Sequence, residues 1–189
     1  DSSFETLNNF DKSCSVDVFF ALSHGVHRGI LKSGKIDDRI IFLRKLQKKT
    51  QDVKFDIYGV DKIQPIWADH YFKTISNAKM GLNLSRGEAI KYYSSDRITQ
   101  IVGNGLVCLI DEKTKYRDYF DNSEMVFYKN ENDLSEKILK ISRDERLRKS
   151  IGRKGKNKYM KFFNSTKVAE FIINKTLDIK SQKKFFWHN

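Results

Sequence analysis

The stretch Leu82-Asn83-Leu84-Ser85, resumed at Tyr93-Ser94-Ser95-Asp96-Arg97-Ile98-Thr99-Gln100-Ile101-Val102-Gly103-Asn104-Gly105-Leu106-Val107-Cys108-Leu109-Ile110-Asp111, decides the fold. It reads as a strand, a polar loop, a capped helix, a glycine stop and a second strand. Ser94 and Ser95 are N-cap residues, and their hydroxyls and the free N–H groups beside them sit at the positive end of the helix dipole. Arg97 falls in the first turn, where a cation opposes that dipole, so it is expected to serve something other than the helix. Gly103 and Gly105 end the helix and let the next strand begin abruptly. A helix that starts at the carboxyl edge of a sheet is how an α/β domain offers a phosphate site.

Working outward, apolar runs predict strands over residues 16–22, 53–60, 80–84, 106–110 and 125–128. Between them lie helical patterns over 37–49, with Ile40, Ile41, Leu43 and Leu46 facing in, over 65–78, and over 95–103. A short turn over 116–120 precedes the fifth strand. After it the chain reads as helix only: 132–142 with Leu134, Ile138 and Ile141 inward, 144–163 with Leu147 and Ile151 inward, and 165–177 with Val168, Phe171 and Ile172 inward. Strands alternating with helices imply a doubly wound, Rossmann-like α/β fold, a five-stranded parallel sheet followed by C-terminal helices. The default strand order is 3-2-1-4-5. It puts the switch point between strands one and four, ringed by the loops at 23–29, 85–97 and 111–116.

The 189 residues, 39% hydrophobic and 32% charged, suit one soluble domain with a full core. No apolar run approaches the roughly 18 residues of a membrane span. The polar, acidic first 15 residues lack a signal-peptide pattern, so a cytoplasmic setting is expected. They read as a linker or the remnant of a missing N-terminal domain. Residues 16–178 form the main domain, and residues 179–189 form a basic, aromatic tail. Cys14 and Cys108 are expected as two reduced thiols, a single bridge being the alternative. The net charge of +12 is concentrated late: from Arg143 onward 14 Lys and Arg face 4 Asp and Glu. Such an end suits an anionic partner such as an anionic membrane surface on the inner face of the membrane, or simply a solvated helix face. Nucleic acid is not expected, because no binding motif is present and aromatics do not interleave the basic face.

Arg97 is the first candidate for holding phosphate, since a rigid and always charged fork suits a diphosphate and stabilises the charge of a departing leaving group. Its alternative is an ion pair with Asp96 or Asp111. Ser94 and Ser95 add hydroxyl and N–H donors. Gly25, Arg28 and Gly29 follow the first strand, where glycine permits close backbone approach and Arg28 offers a second cation; His24 is a weaker member of that loop. Gln100 suits a ribose or acceptor-side hydroxyl. Tyr58, Gly59 and Trp67 lie where a base could be cradled. His24, His27, His70 and His188 show no ligand spacing with cysteine, so neither metal nor cofactor is expected.

Taken together, residues 16–177 resemble the C-terminal, donor-binding domain of the GT-B glycosyltransferases, closest to the group-1 type that includes spore-maturation glycosyltransferase-like proteins. The resemblance is carried by Arg97-x-x-Gln100-x-x-x-x-Gly105-Leu106-Val107, by Asp111 after the next strand, and by residues 116–120 leading to Met125-Val126-Phe127-Tyr128. It continues through Asn132-Asp133-Leu134, then Asp144-Glu145-Arg146-Leu147-Arg148 and Ile151-Gly152-Arg153-Lys154-Gly155, with Ser85 closing the third strand. Gln100 stands where the family usually carries a Glu that holds the donor's ribose hydroxyls, and the first Glu of the family's pair falls at Tyr93. The resemblance implies one half of a GT-B architecture, binding a nucleotide-diphosphate sugar without metal. Transfer would be to a cell-surface glycan or lipid-linked acceptor in polysaccharide biosynthesis. The catalytic base would come from the missing N-terminal domain, so no catalytic residue is assigned in this chain. A non-catalytic nucleotide- or partner-binding module is the alternative.

Overall fold

The computed structural model describes residues 1–23, 36–93, 95–179 and 184–188. Its strands are β1 (Val16–Ala21), β2 (Phe55–Tyr58), β3 (Ala78–Asn83), β4 (Val107–Asp111) and β5 (Val126–Tyr128). Its helices are α1 (Asp38–Lys49), α2 (Ala68–Ile75), α3 (Asp96–Gly103), α4 (Glu131–Arg143), α5 (Glu145–Phe162) and α6 (Ser165–Thr176). The strands form one parallel sheet, as the alternation of elements implied.

The strand order is β2-β1-β3-β4-β5, which replaces the expected 3-2-1-4-5. Right-handed crossovers tie the direction of travel along the sheet to the face that each helix covers. From β1 the chain steps outward to β2 through α1, whose Ile40, Leu43 and Leu46 share one core with Leu134, Ile138 and Ile141 of α4. It then reverses, passing over β1 to β3, and α2 and α3 cover the opposite face, where Ile75 joins Ile98 and Ile101. The physical reason lies in the strands themselves. β2 is half-buried along its whole length and carries Asp56, as an edge strand tolerates, whereas β3 is buried at five of its six positions. Gly81 in β3 belongs under a helix: a Cβ there would lie 2.4 Å from Ile101 Cγ1 of α3. The switch point therefore falls between β1 and β3. Leu22 and Ser23 after β1 and the loop after β3 flank it, and the loop at 111–116 lies one strand further out.

Several local expectations shift. Ile41 points outward at 42% exposure, leaving Ile40, Leu43 and Leu46 as the buried face of α1. The segment 65–78 is helical only over Ala68–Ile75, and Ala78 already begins β3. α6 buries none of its residues: Val168 and Ile172, expected inward, are exposed along with Ile173 and Leu177. Only Phe171 of the expected trio turns toward the rest of the domain, against Phe185 and Trp187.

Residues 1–15, which read as a linker, are built into the domain from Glu5 onward. Asn9 Nδ2 donates to the carbonyls of Ile75 and Ala78, both at 2.8 Å, and Phe10 is buried against Gly105. Arg148, fully buried in α5, donates to the carbonyls of Asn9 and Lys12 at 2.7 and 2.8 Å and pairs with Glu145. This gives the Arg148…Gly152…Gly155 run its physical meaning. A Cβ on Gly152 would come within 2.5 Å of the Gly105 carbonyl, and one on Gly155 within 2.4 Å of the Glu124 carbonyl, so α5 rests directly on backbone. Cys14 and Cys108 are free and buried.

Candidate functional site

The carboxyl end of the switch point opens into a cleft of about 630 Å³ between the N-termini of α2 and α3. One wall carries Ile66, Trp67, Ala68, Tyr71 and Phe72; the other carries Tyr93, Ser95, Asp96, Arg97 and Gln100. Ala21, Leu22 and Ser23 at the end of β1 close it below. The parallel packing of β1 beside β3 is what brings these segments together, because both strands release their chains at the same edge.

Arg97 is the centre of this arrangement. Its guanidinium donates to the carbonyl of Leu84 at 3.2 Å and to that of Ala21 at 3.4 Å, so it bridges the two strand ends at the switch point. Its Cζ lies 5.1 Å from the centroid of the Phe20 ring. The alternative ion pair with Asp96 or Asp111 is not formed, and no carboxylate among the described residues pairs with it. Burial, reinforced by the neighbouring Arg39, lowers its pKa from the ordinary arginine value. The group stays cationic all the same. Arg39 is itself neutralised: it forks onto Asp37 at 3.0 and 2.7 Å, and this contact holds the Asp37 carboxyl below its ordinary range. Arg97 thus supplies a cation that no carboxylate among the described residues pairs with.

Ser95 occupies the N-cap of α3, yet its hydroxyl does not cap the helix; it lies 3.2 Å from Asn83 Oδ1 at the end of β3. The capping role expected of Ser95 therefore gives way to a tie between α3 and β3, and among the described residues no side chain caps the first-turn N–H groups. Gln100 lines the cleft one turn beyond Asp96. On the facing wall, burial pushes the Tyr71 hydroxyl up to about 12, so it remains a neutral donor. Trp67 is 61% exposed at the rim, and the next residue, Ala68, is held at φ 48°, a left-handed conformation that costs energy in a residue with a Cβ.

Of the residues expected to form the site, the cleft brings together Ser95, Arg97, Gln100 and Trp67. Gly25, Arg28 and Ser94, with His24 and Gly29, lie outside the described residues. Tyr58 and Gly59 do not line the cleft. The Tyr58 ring packs against Phe19 and His70, and Gly59, at φ 76°, gives close passage to the backbone of Leu22. Tyr71 and Asn83 were not among the expected site residues, and Asp96, weighed only as an ion-pair partner of Arg97, lines the cleft without pairing with it. Tyr71 follows Trp67 by four residues and so shares its side of the helix. Asn83 is the one polar residue closing an apolar run, a signal that was legible. Among the described residues no group of His, Cys, Asp and Glu is placed to hold a metal ion, and no helix is long and apolar enough to cross a membrane.

Residues 39–174 match the profile of a protein family described as glycosyl transferase-like. No match was found among curated proteins. Solved structures share the fold. A structure of TarM superposes with a TM-score of 0.63 at 16% identity, covering 86% of this chain and 35% of that one. A structure of an S. aureus TarM mutant in complex with Fondaparinux, alpha-GlcNAc-glycerol and UDP gives a TM-score of 0.60 at 15% identity, covering 86% of this chain and 36% of that one. The chain thus spans about a third of the length of the structures it matches.

Proposed function

The chain belongs to the glycosyl transferase-like family, and from that premise we propose that its cleft binds a nucleoside-diphosphate sugar as the donor half of a GT-B glycosyltransferase. The observation that carries this reading is Arg97, a cation that pairs with no carboxylate among the described residues, set at the start of α3 and spanning the ends of β1 and β3. In this reading the diphosphate lies between the Arg97 guanidinium and the uncapped N–H groups of α3, a combination of fixed charge and helix dipole suited to anions. As the sugar leaves, charge builds on the distal phosphate, and a guanidinium already fixed in place stabilises it without reorganisation. Gln100 hydrogen-bonds a hydroxyl of the ribose or the sugar. Ser95 positions the loop through Asn83. Gly25, Arg28 and Ser94, which lie outside the described residues, are the further sequence candidates for the phosphate contacts.

The partner substrate is a glycan or lipid-linked acceptor, and the base that activates it belongs to a second domain. The UDP in the TarM complex supports the donor class, and the glycoside there supports a sugar product. The apolar outer face of α6, with Ile172 and Ile173 more than half exposed, supports a second domain packed on this side. In this reading the arginine and the helix dipole offset part of the negative charge of the diphosphate, and binding is expected without a metal ion.

Calorimetric titration of the chain with UDP, ADP and GDP in the presence of EDTA tests the reading. Saturable binding of at least one of them under chelation is expected. Absence of binding, or binding that returns only with Mg²⁺ or Mn²⁺, would remove the metal-independent donor site. The isolated chain is also expected to transfer no sugar.

A further inference from the structure

A second concave surface lies away from the donor cleft, where the tail folds back on the ends of α5 and α6. Its volume is about 620 Å³. The rings of Phe162, Phe185, Phe186 and Trp187 line it, together with Lys167, Lys184 and one carboxylate, Glu170. These rings are fixed by one another. Phe186 stacks on Phe162 at 4.4 Å, Trp187 stacks on Phe163 at 5.4 Å, and Phe171 holds Phe185 edge-on at 5.1 Å. Lysines sit over the same rings: Lys161 and Lys167 over Phe162 at 5.1 and 5.6 Å, and Lys158 over Phe186 at 5.7 Å. A run of rings then leads back toward the donor cleft, from Phe186 to Tyr119 at 6.0 Å and from Tyr119 to Tyr92 at 5.1 Å, beside Tyr93 on the cleft wall.

We propose that this groove binds an anionic glycan chain. The C–H faces of sugar rings pack against aromatic faces, while phosphate, sulfate or carboxylate groups on the chain pair with Lys167 and Lys184. Two features select this ligand. First, lysines outnumber carboxylates around the groove, within the most basic part of the chain, so the ligand carries negative charge. Second, the rings are stacked on each other inside a concavity. A bilayer would call for rings presented outward on an open face; a groove with ring walls accommodates a linear chain. The site is distinct from the donor cleft and needs no nucleotide.

The test uses Trp187 fluorescence in a Trp67→Phe background, with dextran sulfate oligosaccharide as the probe and neutral dextran of the same length as its control. Dextran sulfate is expected to bind saturably, and neutral dextran more weakly. Phe186→Ala leaves the net charge unchanged and is expected to weaken dextran sulfate binding about three- to ten-fold through the lost ring contact. Lys184→Glu, at an exposed position, is expected to weaken it too, most at low salt. It keeps the question open to test should Phe186→Ala unseat the tail. An unchanged affinity in Phe186→Ala with the tail in place would reduce the effect to diffuse attraction by a basic protein and overturn the proposal. So would phosphatidylglycerol vesicles that bind through these residues while dextran sulfate does not, which would make the surface one for lipid.

Discussion

Arg148 and Arg97 both reach into this domain, and they differ in what surrounds them. Arg148 in α5 is fully buried and fully met: carbonyls of Asn9 and Lys12 accept from it, and Glu145 balances its charge at 2.6 Å. Arg97 in α3 is less buried, donates only two longer bonds to carbonyls, and forms no ion pair among the described residues, although Asp96 lines the same open cleft. Burial alone therefore does not mark a functional cation. Unmet charge at the mouth of a cleft does, since a protein that only needed stability would satisfy it or leave it in water.

The largest effect is expected at the structural arginine. Arg148→Ala leaves the carbonyls of Asn9 and Lys12 without their donor and is expected to destabilise the fold by about 3 kcal/mol in urea unfolding. Nucleotide affinity of the folded fraction should stay unchanged. If affinity fell along with stability, the two arginines would not be separable. A smaller effect is expected at Gln100. Removing one neutral hydrogen bond to a ligand hydroxyl in Gln100→Ala should weaken nucleotide binding roughly two- to ten-fold, whereas a change seen equally with inorganic pyrophosphate would place Gln100 at the phosphates.

The smallest effect is one of pH. The Arg148 hydrogen bond holds the Glu145 carboxyl below its ordinary range. A carboxyl whose folded pKa is depressed stabilises the fold above its unfolded pKa, about 4.3. That contribution is lost as pH falls through the lower, folded value. The wild-type acid-unfolding limb should therefore carry a component below about pH 4.3 that Glu145→Gln abolishes. An acid limb identical in the two proteins would show that Glu145 adds nothing. Arg97, without a carboxylate, contributes no such limb.

The sequence made the α/β alternation legible, together with α3 and the glycine stop, because a period of 3.6 beside wholly apolar runs has few other solutions. It did not reveal the strand order. The order depends on β2 tolerating an edge and on Ile101 lying over Gly81, and both are contacts between segments distant in the chain. Arg97, Ser95, Gln100 and Trp67 converge on one cleft because the switch point has β1 and β3 as its two sides. Moving it from the expected pair kept the loop after β3 in place. The role of Ser95 was misread since local capping preference says nothing of Asn83, which reaches it from the neighbouring strand. Arg148 was hidden for the opposite reason: a basic helix gives no sign of which arginine turns inward until the N-terminal segment packs over it.

The proposed donor site stands on Arg97 meeting an anion. Calorimetry of UDP binding to the wild-type chain and to Arg97→Ala, run beside urea unfolding of both, tests it most directly. Affinity is expected to fall about ten-fold or more, from the loss of a charge-assisted contact, with stability within about 1 kcal/mol of wild type because the two carbonyl bonds lost are long and lie beside an open cleft where water replaces them, and no carboxylate is left unpaired. An unchanged affinity, or a loss of stability comparable to that of Arg148→Ala, would contradict it.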